Sequence, residues 1–586
     1  MMKPSIYVTL FLSLLIFSSE ARSAKVGTQI AFLADVHLHD IYASPEGTET
    51  QLLPQLKNGN PVLMRSMMAQ LSSTRLFNEN YYVFIAALDD LVRRNVKLVV
   101  LPGDFTDDGQ PMNVLAVKRI LDHYTSRYHM RFFVINGNHD PVRPFTQSAG
   151  KSDFLGRDGL EVALHSAAHS RCTSAIAPRQ LCSDDIKNWG YQEIMNALAQ
   201  HGFTPHSNDV FYETPFTSQN NNGVTFESRQ LQWCDESQPK KCVNMPDSSY
   251  VVEPIKDVWL LAIDANVYIP KDYATGAYEG SGNAGYNAMR TYKKPILSWI
   301  ESVARRAREQ NKQLIAFSHF PATDFYDNTN KDITQLFGPN SLQTKRLPTA
   351  ETAAYMADLG LQLHFAGHMH INDTGSVTSK NGNRLINVQV PSLAAYRPGY
   401  KLLTFTGSKE VEVTSENIND VAGFDELFPL YENEWQKRQQ QGMNNWSRHI
   451  LTSQDYLTFT DQHLLQLIEQ RFLPKEWPPE LVNYLQQHSI MDLITLLEPQ
   501  KAKYSSTLAE VPAITLVYDF YRLKSAADTA MLEIDKQTYD VLLSEYSMTM
   551  QTCIHNSKLV CQLRQLLLIM QKMFNEEPAD KVKFSW

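Results

Sequence analysis

From residue 28 to residue 366, short apolar runs alternate with longer amphipathic stretches. The apolar runs have the length of strands buried on both faces, and they lie at residues 28–34, 97–102, 131–135, 258–263, 313–317 and 362–366. Apolar residues at helical spacing predict helices at residues 78–94, 112–128, 294–310 and 349–359. Because strands alternate with helices, we predict a mostly parallel sheet covered by helices, which is the α/β fold class.

Other segments depart from this alternation. Residues 375–390 and 401–415 alternate apolar and polar positions, and Asn381-Gly382 is a turn signal, so we predict hairpins that extend a sheet. Residues 141–254 and 268–292 do not fit the repeating unit. We predict that both are insertions over the functional edge of the sheet, because loops on a rigid scaffold commonly carry function.

The character of the chain changes at about residue 417. The later segments 464–472, 481–497 and 563–574 have helical spacing and contain no chemical motif. We therefore predict one domain over residues 24–416, with an insertion at 141–254, and a mostly α-helical C-terminal domain over residues 417–586.

The N-terminus has the three-part layout of a secretory signal peptide. Lys3 precedes an apolar stretch at residues 6–17, and small or polar residues follow, with cleavage expected after Ala21 or Ser23. This stretch is shorter than the roughly 20 residues that span a bilayer. We predict that residues 1–23 are removed and that no transmembrane segment remains, with a retained N-terminal anchor as the alternative.

Six cysteines support export. They form three local pairs, Cys172/Cys182, Cys234/Cys242 and Cys553/Cys561. An even number at short spacing behind a signal peptide predicts disulfides and a secreted or periplasmic protein, although six cysteines allow 15 connectivities. A zinc-thiolate site is the alternative, and the absence of a C-x2-C spacing disfavours it.

Composition and charge narrow the class of partner. Hydrophobic residues make up 43% and charged residues 20% of the 586 residues, as in an ordinary globular protein of several structural units. The 54 Lys and Arg against 63 Asp and Glu give a net charge of −9. Because there is also no long basic run, we expect no nucleic-acid polymer as partner.

Five polar blocks stand where predicted strands end. They are Asp35-Val36-His37, Gly103-Asp104, Gly137-Asn138-His139-Asp140, Ser318-His319-Phe320 and Gly367-His368-Met369-His370. Each block alone has an ordinary structural explanation. Together they follow five strand candidates, so in a parallel sheet their side chains would meet at one edge.

Carboxylate, imidazole and amide groups in one place suit divalent zinc, manganese or iron. Two ions with a shared carboxylate clamp both oxygens of an in-line displacement, and Asp104 is the natural bridge. The spacing therefore predicts a dinuclear centre that supplies a hydroxide nucleophile.

The ordered set of blocks, spread over about residues 30–415, resembles the calcineurin-like metallophosphoesterase family. The resemblance implies a four-layer αββα sandwich and two divalent metal ions. It also implies the ligand roles: Asp35, His37 and His370 for the first ion, Asn138, His319 and His368 for the second, and Asp104 for both. In the same resemblance His139 faces the phosphate and either stabilises the transition state or protonates the leaving oxygen. Asp107 would orient His139, with a loop-capping role as the alternative. We expect His39 to be a pocket or surface residue.

We therefore hypothesise an exported phosphoesterase that favours diesters, in which a metal-bridging hydroxide attacks directly. The diester preference comes from Asp140 and from a weaker resemblance to cyclic-nucleotide, glycerophosphodiester and acid sphingomyelinase-like phosphodiesterases. Alternatives are a phosphomonoesterase, a lipid-headgroup phosphodiesterase, and a non-enzymatic partner-binding protein that keeps the fold. The substrate would be a small phosphate ester, such as a nucleotide or a lipid headgroup. A lipid substrate would need an apolar approach surface, for which the candidates are Tyr273, Tyr278, Tyr286, Phe325 and Tyr326.

Overall fold

The computed structural model describes residues 25–47, 50–173, 179–217, 225–235, 240–273, 276–497, 506–544, 557–575 and 578–586. The predicted signal peptide and Cys553 of the third predicted cysteine pair lie outside these residues. Disulfides join Cys172 to Cys182 and Cys234 to Cys242, as predicted for the other two pairs.

Two mixed sheets form the centre of the molecule. The first has six strands, in the spatial order Lys581–Ser585, Glu410–Asn417, Gly399–Phe405, Gln29–Phe32, Leu98–Pro102 and Arg131–Ile135. The second has seven, in the order Asp373–Thr378, Arg384–Gln389, Leu363–Ala366, Gln313–Ser318, Val258–Ile263, Tyr250–Ile255 and Phe211–Glu213. The last three strands of the first sheet are mutually parallel, as are the four from Arg384–Gln389 to Val258–Ile263 in the second.

The sheets pack face to face between helices. The rings of Phe32 and Phe365, one from each sheet, stack with centroids 3.6 Å apart. Helix Pro111–Tyr128 packs on the first sheet, whereas Lys294–Glu309 and Ala350–Asp358 pack on the second. This confirms the predicted α/β class and the four-layer αββα arrangement, in which apolar faces of both sheets share one core.

The predicted helices and strands of these layers are present with ends shifted by one or two residues. Helix Asn80–Arg93 lies within the predicted 78–94, and Pro111 occupies the first turn of the next helix, where its missing N–H costs nothing. Thr349 caps Ala350–Asp358 by accepting the Thr352 N–H. Both predicted hairpins form, and Asn381-Gly382 lies in the turn of the first.

Residues 141–254 are only partly an insertion. Strands Phe211–Glu213 and Tyr250–Ile255 extend the seven-stranded sheet. The rest forms a three-stranded sheet and a hairpin that carry the disulfides, with strands Gly150–Leu155, Glu161–His165, Gln180–Cys182, Gln230–Cys234 and Cys242–Pro246. The sequence pattern missed both strands. Phe211–Glu213 has three residues and is only half-buried, and the apolar run of Tyr250–Ile255 is interrupted by Glu253 and Pro254.

The C-terminal region is mostly helical, as predicted. Its α-helices are Phe428–Gln440, Tyr456–Leu467, Leu473–Glu476, Pro479–Gln487, Ile490–Leu497, Thr515–Ala526, Lys536–Ser544 and Lys558–Phe574. The single helix predicted over residues 481–497 is two helices, because Ser489 accepts the Asp492 N–H and begins a new helix. Strand Lys581–Ser585 then returns to pair with Glu410–Asn417, so the end of the chain belongs to the first sheet.

Shorter elements complete the described chain. They are helices Met67–Leu71, Ser170–Thr173, Tyr191–Ala197, Gly285–Tyr292 and Asn330–Phe337 and strands Pro270–Asp272 and Ala277–Tyr278. Among the described helices, none combines the length and hydrophobicity needed to cross a bilayer.

Candidate metal centre

The five polar blocks meet at one edge of the sandwich. Asp35, Asp104 and Asn138 follow three adjacent parallel strands of the first sheet, and His319 and His368 follow two adjacent parallel strands of the second. The carboxyl ends of parallel strands share an edge, so the two sheets together place these side chains in one cleft. Asp35 also joins the sheets directly, because its carboxylate accepts the backbone N–H of His368 at 2.9 Å.

Asp35, His37 and His370 form the first group. The Nε2 atoms of His37 and His370 are 3.0 Å apart, and Asp35 Oδ1 is 3.4 Å from His370 Nε2. His370 Nδ1 lies 3.3 Å from the Thr74 carbonyl, so it carries the proton and leaves Nε2 as a free lone pair. Burial, together with the charge of Arg75, holds the pKa of His37 well below its usual value. Ring nitrogens that face each other beside a carboxylate fit a cation between them.

Asp104, His319 and His368 form the second group, with Asn138 beside it. His319 Nε2 is 3.1 Å from Asp104 Oδ2, 3.1 Å from Asn138 Oδ1 and 3.0 Å from His368 Nδ1. Each ring is oriented by a carbonyl at its other nitrogen: His319 Nδ1 contacts Pro102 O at 3.2 Å, and His368 Nε2 contacts Gly282 O at 2.9 Å. This is the outer contact that usually fixes a metal-binding imidazole.

Asp104 connects the two groups. Its Oδ2 is 3.8 Å from His37 Nε2 in the first group and 3.1 Å from His319 Nε2 in the second, while Oδ1 accepts the His139 N–H at 2.8 Å. Burial alone would raise the pKa of Asp104, but the charges of His319 and His139 hold it well below its usual range. The carboxylate is therefore ionised and reaches both groups.

Five of these residues have left-handed backbone, which non-glycine residues rarely adopt. The φ angles are +49° at Asp35, +46° at His37, +49° at Asp104, +75° at His368 and +55° at His370. Such strain persists where the surrounding fold imposes it, commonly at functional sites. Here it turns each side chain from the strand end into the cleft.

Glycines at the strand ends allow the carboxylates to approach. A Cβ on Gly137 would lie 2.1 Å from Asp104 Oδ1 and 2.3 Å from its backbone nitrogen, and one on Gly367 would lie 2.3 Å from Asp35 Oδ2. These glycines are required for space rather than for a positive φ.

Gly137→Ala should therefore displace Asp104 and lower kcat/KM for any ester substrate by about 100-fold, since a shift of about 1 Å at a reacting centre can cost that much. The measurement is steady-state kinetics with thermal unfolding as a check on folding. Gly280→Ala is the matched control, because its added Cβ would meet only the flexible end of Arg143 at 3.2 Å. Equal activity of the two variants would contradict the packing explanation.

His139 stands beside the first group, with its ring centroid 5.1 Å from that of His37. The predicted orienting residue, Asp107, does not contact it. Asp108 does, with Oδ1 2.6 Å from His139 Nδ1. Burial disfavours the charge on Asp108, but Lys151 and the bond to His139 lower its pKa to about 2. Asp108 is therefore an ionised acceptor that holds the Nδ1 proton of His139.

Asp107 turns the other way and is a structural anchor. Its carboxylate contacts Arg65 at 3.2 Å, Arg75 at 2.9 Å and Lys151 at 3.2 Å. Burial opposes its ionisation, but these cations hold its pKa well below the usual range. Because Asp107 and Asp108 are adjacent, only the backbone conformation decides which of them reaches His139.

Asp108→Asn should lower kcat about 10- to 100-fold, because the histidine loses its anionic partner. If His139 protonates the leaving oxygen, the loss should be larger for an alkyl phosphate ester than for a p-nitrophenyl ester, whose leaving group needs no proton. The exposed Asp184→Asn serves as control. An equal loss with both leaving groups would contradict an orienting role in proton transfer.

Asp140, His39 and three aromatics of the predicted approach surface are buried. Asp140 is buried and accepts the N–H and hydroxyl of Thr106, so it braces the loop after Asp104. His39 is neither in a pocket nor on the surface, since it is 1% exposed and lies 2.7 Å from the Leu63 carbonyl. The predicted apolar approach surface is largely absent because three of its five candidates are core residues: Tyr286, Phe325 and Tyr326.

The cleft opens into a cavity of about 170 Å³ whose far wall is the helical region. Asp104, Asn138, His139, His368 and His370 line one end. The cationic lining residues are Arg75, Arg346, Arg471 and Lys524. The motif search missed the last three because they are far from the motifs in sequence.

Comparison with known proteins agrees with this geometry. Residues 28–244 match a family described as calcineurin-like phosphoesterase. His319, His368 and His370 lie beyond the match, and the fold brings them to the residues inside it. No curated protein matches the chain.

Similar solved structures include two phosphatases. A dimetal phosphatase from Danio rerio is 11% identical, with a TM-score of 0.33, and the similarity covers 67% of this chain and 98% of that one. A purple acid phosphatase, PPD1, from yellow lupin (Lupinus luteus) seeds is 10% identical, with a TM-score of 0.27 and coverage of 68% and 52%. Both scores are low, and we draw no conclusion about function from these two structures.

Proposed function

Because the chain contains a calcineurin-like phosphoesterase region at residues 28–244, we propose that it is a dinuclear metal-dependent phosphoesterase. The observation that carries the proposal is the position of Asp104, whose Oδ2 lies within 4 Å of a histidine nitrogen in each of two ligand groups. A single shared carboxylate between two sets of nitrogen and oxygen donors suits a pair of divalent ions.

The ligand assignment follows the two groups. Asp35, His37 and His370 would hold one ion, and Asn138, His319 and His368 would hold the other, with Asp104 shared. The nitrogen and oxygen donors suit zinc, manganese or iron(II). When bound, such ions polarise a phosphoryl oxygen and provide an activated water for in-line hydrolysis.

The remaining chemistry belongs to side chains. His139, whose Nδ1 proton is held by Asp108, presents Nε2 to the cavity as the group that would protonate the leaving oxygen. Arg75 is held by Asp107 at 2.9 Å and lies 3.4 Å from His139 Nδ1, so its positive charge is fixed beside the reacting phosphate.

We propose phosphodiesters as the preferred substrates, although the support for this is the resemblance of the motifs alone. Asp140, which suggested it, braces a loop and does not face the cavity. A lipid headgroup is disfavoured by the burial of Tyr286, Phe325 and Tyr326.

The test is to assay the mature protein, loaded with manganese or zinc, on bis(p-nitrophenyl) phosphate and on p-nitrophenyl phosphate. We expect hydrolysis of both, faster for the diester, and loss of both in Asp104→Asn. A faster monoester would overturn the diester preference. Equal inactivity of wild type and variant on both esters would overturn the enzymatic proposal, and fewer than one bound ion per chain would then favour a partner-binding protein.

We also propose that the protein is exported and then acts without its first 23 residues. The support is the sequence layout of the N-terminus and the two disulfides. We also propose a catalytic domain at residues 24–416 and a helical domain at residues 417–586. The final strand, Lys581–Ser585, pairs with the first sheet and so packs with the catalytic domain. An intact N-terminus at Met1 on protein recovered from outside the cytoplasm would overturn cleavage.

A further inference from the structure

The cavity beside the candidate metal centre carries more positive charge than one phosphate group requires. Its lining includes four cations and, among the described residues, a single carboxylate, that of Asp104. Asp107 and Asp108 neutralise Arg75. The other three cations, Arg346, Arg471 and Lys524, have no ion pair with a described carboxylate, so their charge faces the cavity.

Arg346 lies next to the proposed ligands. Its charge interacts with Asp104 and Asp35, and it helps to lower the pKa of His368. Its hydrogen bonds go to neutral acceptors, Gln343 Oε1 at 3.1 Å and Asn283 Oδ1 at 3.4 Å. The guanidinium therefore keeps its full charge and can still bind an anion.

Strained backbone holds this part of the cavity wall. Leu342 has φ +48° and Gln343 has φ +61°, and the Tyr326 hydroxyl donates to the Leu342 carbonyl. Two successive non-glycine residues in the left-handed region cost free energy, so the surrounding fold must impose this turn. The turn places Gln343 and Arg346 on the cavity wall.

Lys524 and Arg471 line the same cavity as Arg346. The Lys524 Nζ is 5.5 Å above the ring of Tyr326, and Arg471 donates to the Ser72 carbonyl at 3.1 Å. Arg346 interacts electrostatically with both of them. Glu476 also interacts electrostatically with both Lys524 and Arg471, but it does not line the cavity.

The surroundings of Lys524 destabilise its charged form. It is largely enclosed by the helix Thr515–Ala526 and its neighbours, and burial lowers its pKa to about 8. A lysine in such surroundings, without an ion-pair partner among the described residues, is stabilised when an anion enters the cavity.

We propose that the substrate carries a second phosphate group beyond the one that is hydrolysed, and that Lys524 and Arg471 bind it while Arg346 lies between the two groups. This rests on the proposed phosphoesterase function and narrows its substrate to small molecules with two or more phosphates. The helical region would then supply substrate specificity to a centre built by the two sheets.

The first test measures binding without metals. Adenosine 5′-diphosphate and adenosine 5′-monophosphate are titrated by calorimetry into EDTA-treated wild type, Lys524→Met, Arg471→Gln and the control Lys536→Met, which removes an exposed lysine outside this cavity. We expect the diphosphate to bind wild type and the control about tenfold more tightly than the monophosphate does, as charge-assisted hydrogen bonds imply. In the two cavity variants this preference, the ratio of the two dissociation constants, should fall below threefold. Lys524→Met should fold, because it removes a partly buried charge and keeps the length of the side chain.

The second test separates this inference from the proposed function. The same nucleotides are used to inhibit hydrolysis of bis(p-nitrophenyl) phosphate by metal-loaded protein, and the ratio of the two inhibition constants is compared among the four proteins. Any metal chelation by the nucleotides is common to all of them. No hydrolysis by wild type would overturn the proposed function while calorimetry still tests the cavity. A wild-type preference below threefold, or one that both cavity variants retain, would overturn the second phosphate site.

Discussion

Asp104→Asn should reduce kcat by about three orders of magnitude or more, since removing even one charge-stabilising group from a preorganised site costs about 100- to 1000-fold. The change keeps the size of the side chain and removes its charge. It leaves the nitrogens of His37 and His319 without the carboxylate that both face. Metal analysis should show fewer than two ions per chain in the variant.

Asp158→Asn is the control for this comparison, because Asp158 is an exposed partner of Arg179. Both variants should unfold at a temperature close to that of wild type, so that lost activity reports the site and not the fold. Asp104→Asn with two bound ions and activity within tenfold of wild type would contradict the shared-ligand assignment.

Lys293→Met should destabilise the protein by about 3–5 kcal/mol, because removing one partner of a buried ion pair leaves uncompensated charge. Lys293, Asp247 and Asp264 all have fully buried side chains. The ammonium lies 2.8 Å from Asp247 Oδ2 and 2.8 Å from the Asp264 carbonyl. Burial acts against its charge, but the two carboxylates raise its pKa.

This network also supports the metal centre. Asp264 Oδ1 accepts the Asn266 N–H at 3.1 Å, and Asn266 Nδ2 donates to the Gly137 carbonyl at 3.0 Å. Gly137 precedes Asn138, so Lys293→Met should lower activity as well as stability.

Chemical denaturation measures the free energy of unfolding. The control is Lys118→Met, which breaks an exposed ion pair with Asp122, one helical turn away, and should change this free energy by less than about 1 kcal/mol. The deficit of Lys293→Met should shrink at acidic pH. Burial raises the pKa of Asp264, and loss of the ammonium should raise it further above its value in the unfolded chain, so the cost of this charge is present at neutral pH and disappears as Asp264 protonates. A deficit that is small, or that grows on acidification, would contradict the charge explanation.

The sheet strands were predictable because their composition is nearly uniform. A buried strand such as Val258–Ile263 must be apolar along its whole length, and that run is visible without any knowledge of its neighbours. Phe211–Glu213 was not predictable, since a short edge strand needs no such run and is defined by its pairing with Tyr250–Ile255.

The blocks that carry the seven proposed ligands could be located from the sequence because each block follows a strand, and parallel strands place their ends together. The assignment of ligands within the blocks comes from the family resemblance. Residues whose role depends on the direction of the side chain could not be assigned from the sequence. Asp107 and Asp108 are neighbours with the same chemistry, and the turn alone sends Asp108 to His139 and Asp107 to Arg65 and Arg75. Tyr286 is polar-tipped and lies in a loop-like stretch, yet it is buried with its hydroxyl on Ser318.

The sequence by itself determined most strands and helices of the sandwich and the polar groups that follow the strands, because hydrophobic periodicity is a local property of the chain. The four-layer arrangement was implied by the family resemblance. Only the tertiary structure decided what faces that cleft from the opposite side. Arg346, Arg471 and Lys524 come from segments with no motif, and a cation is distinguished from any other surface residue only by the cavity it lines and the partners it lacks. Because electrostatic interactions act through space, the packing of the chain, and not the position of a residue in the sequence, decides which groups a charge interacts with.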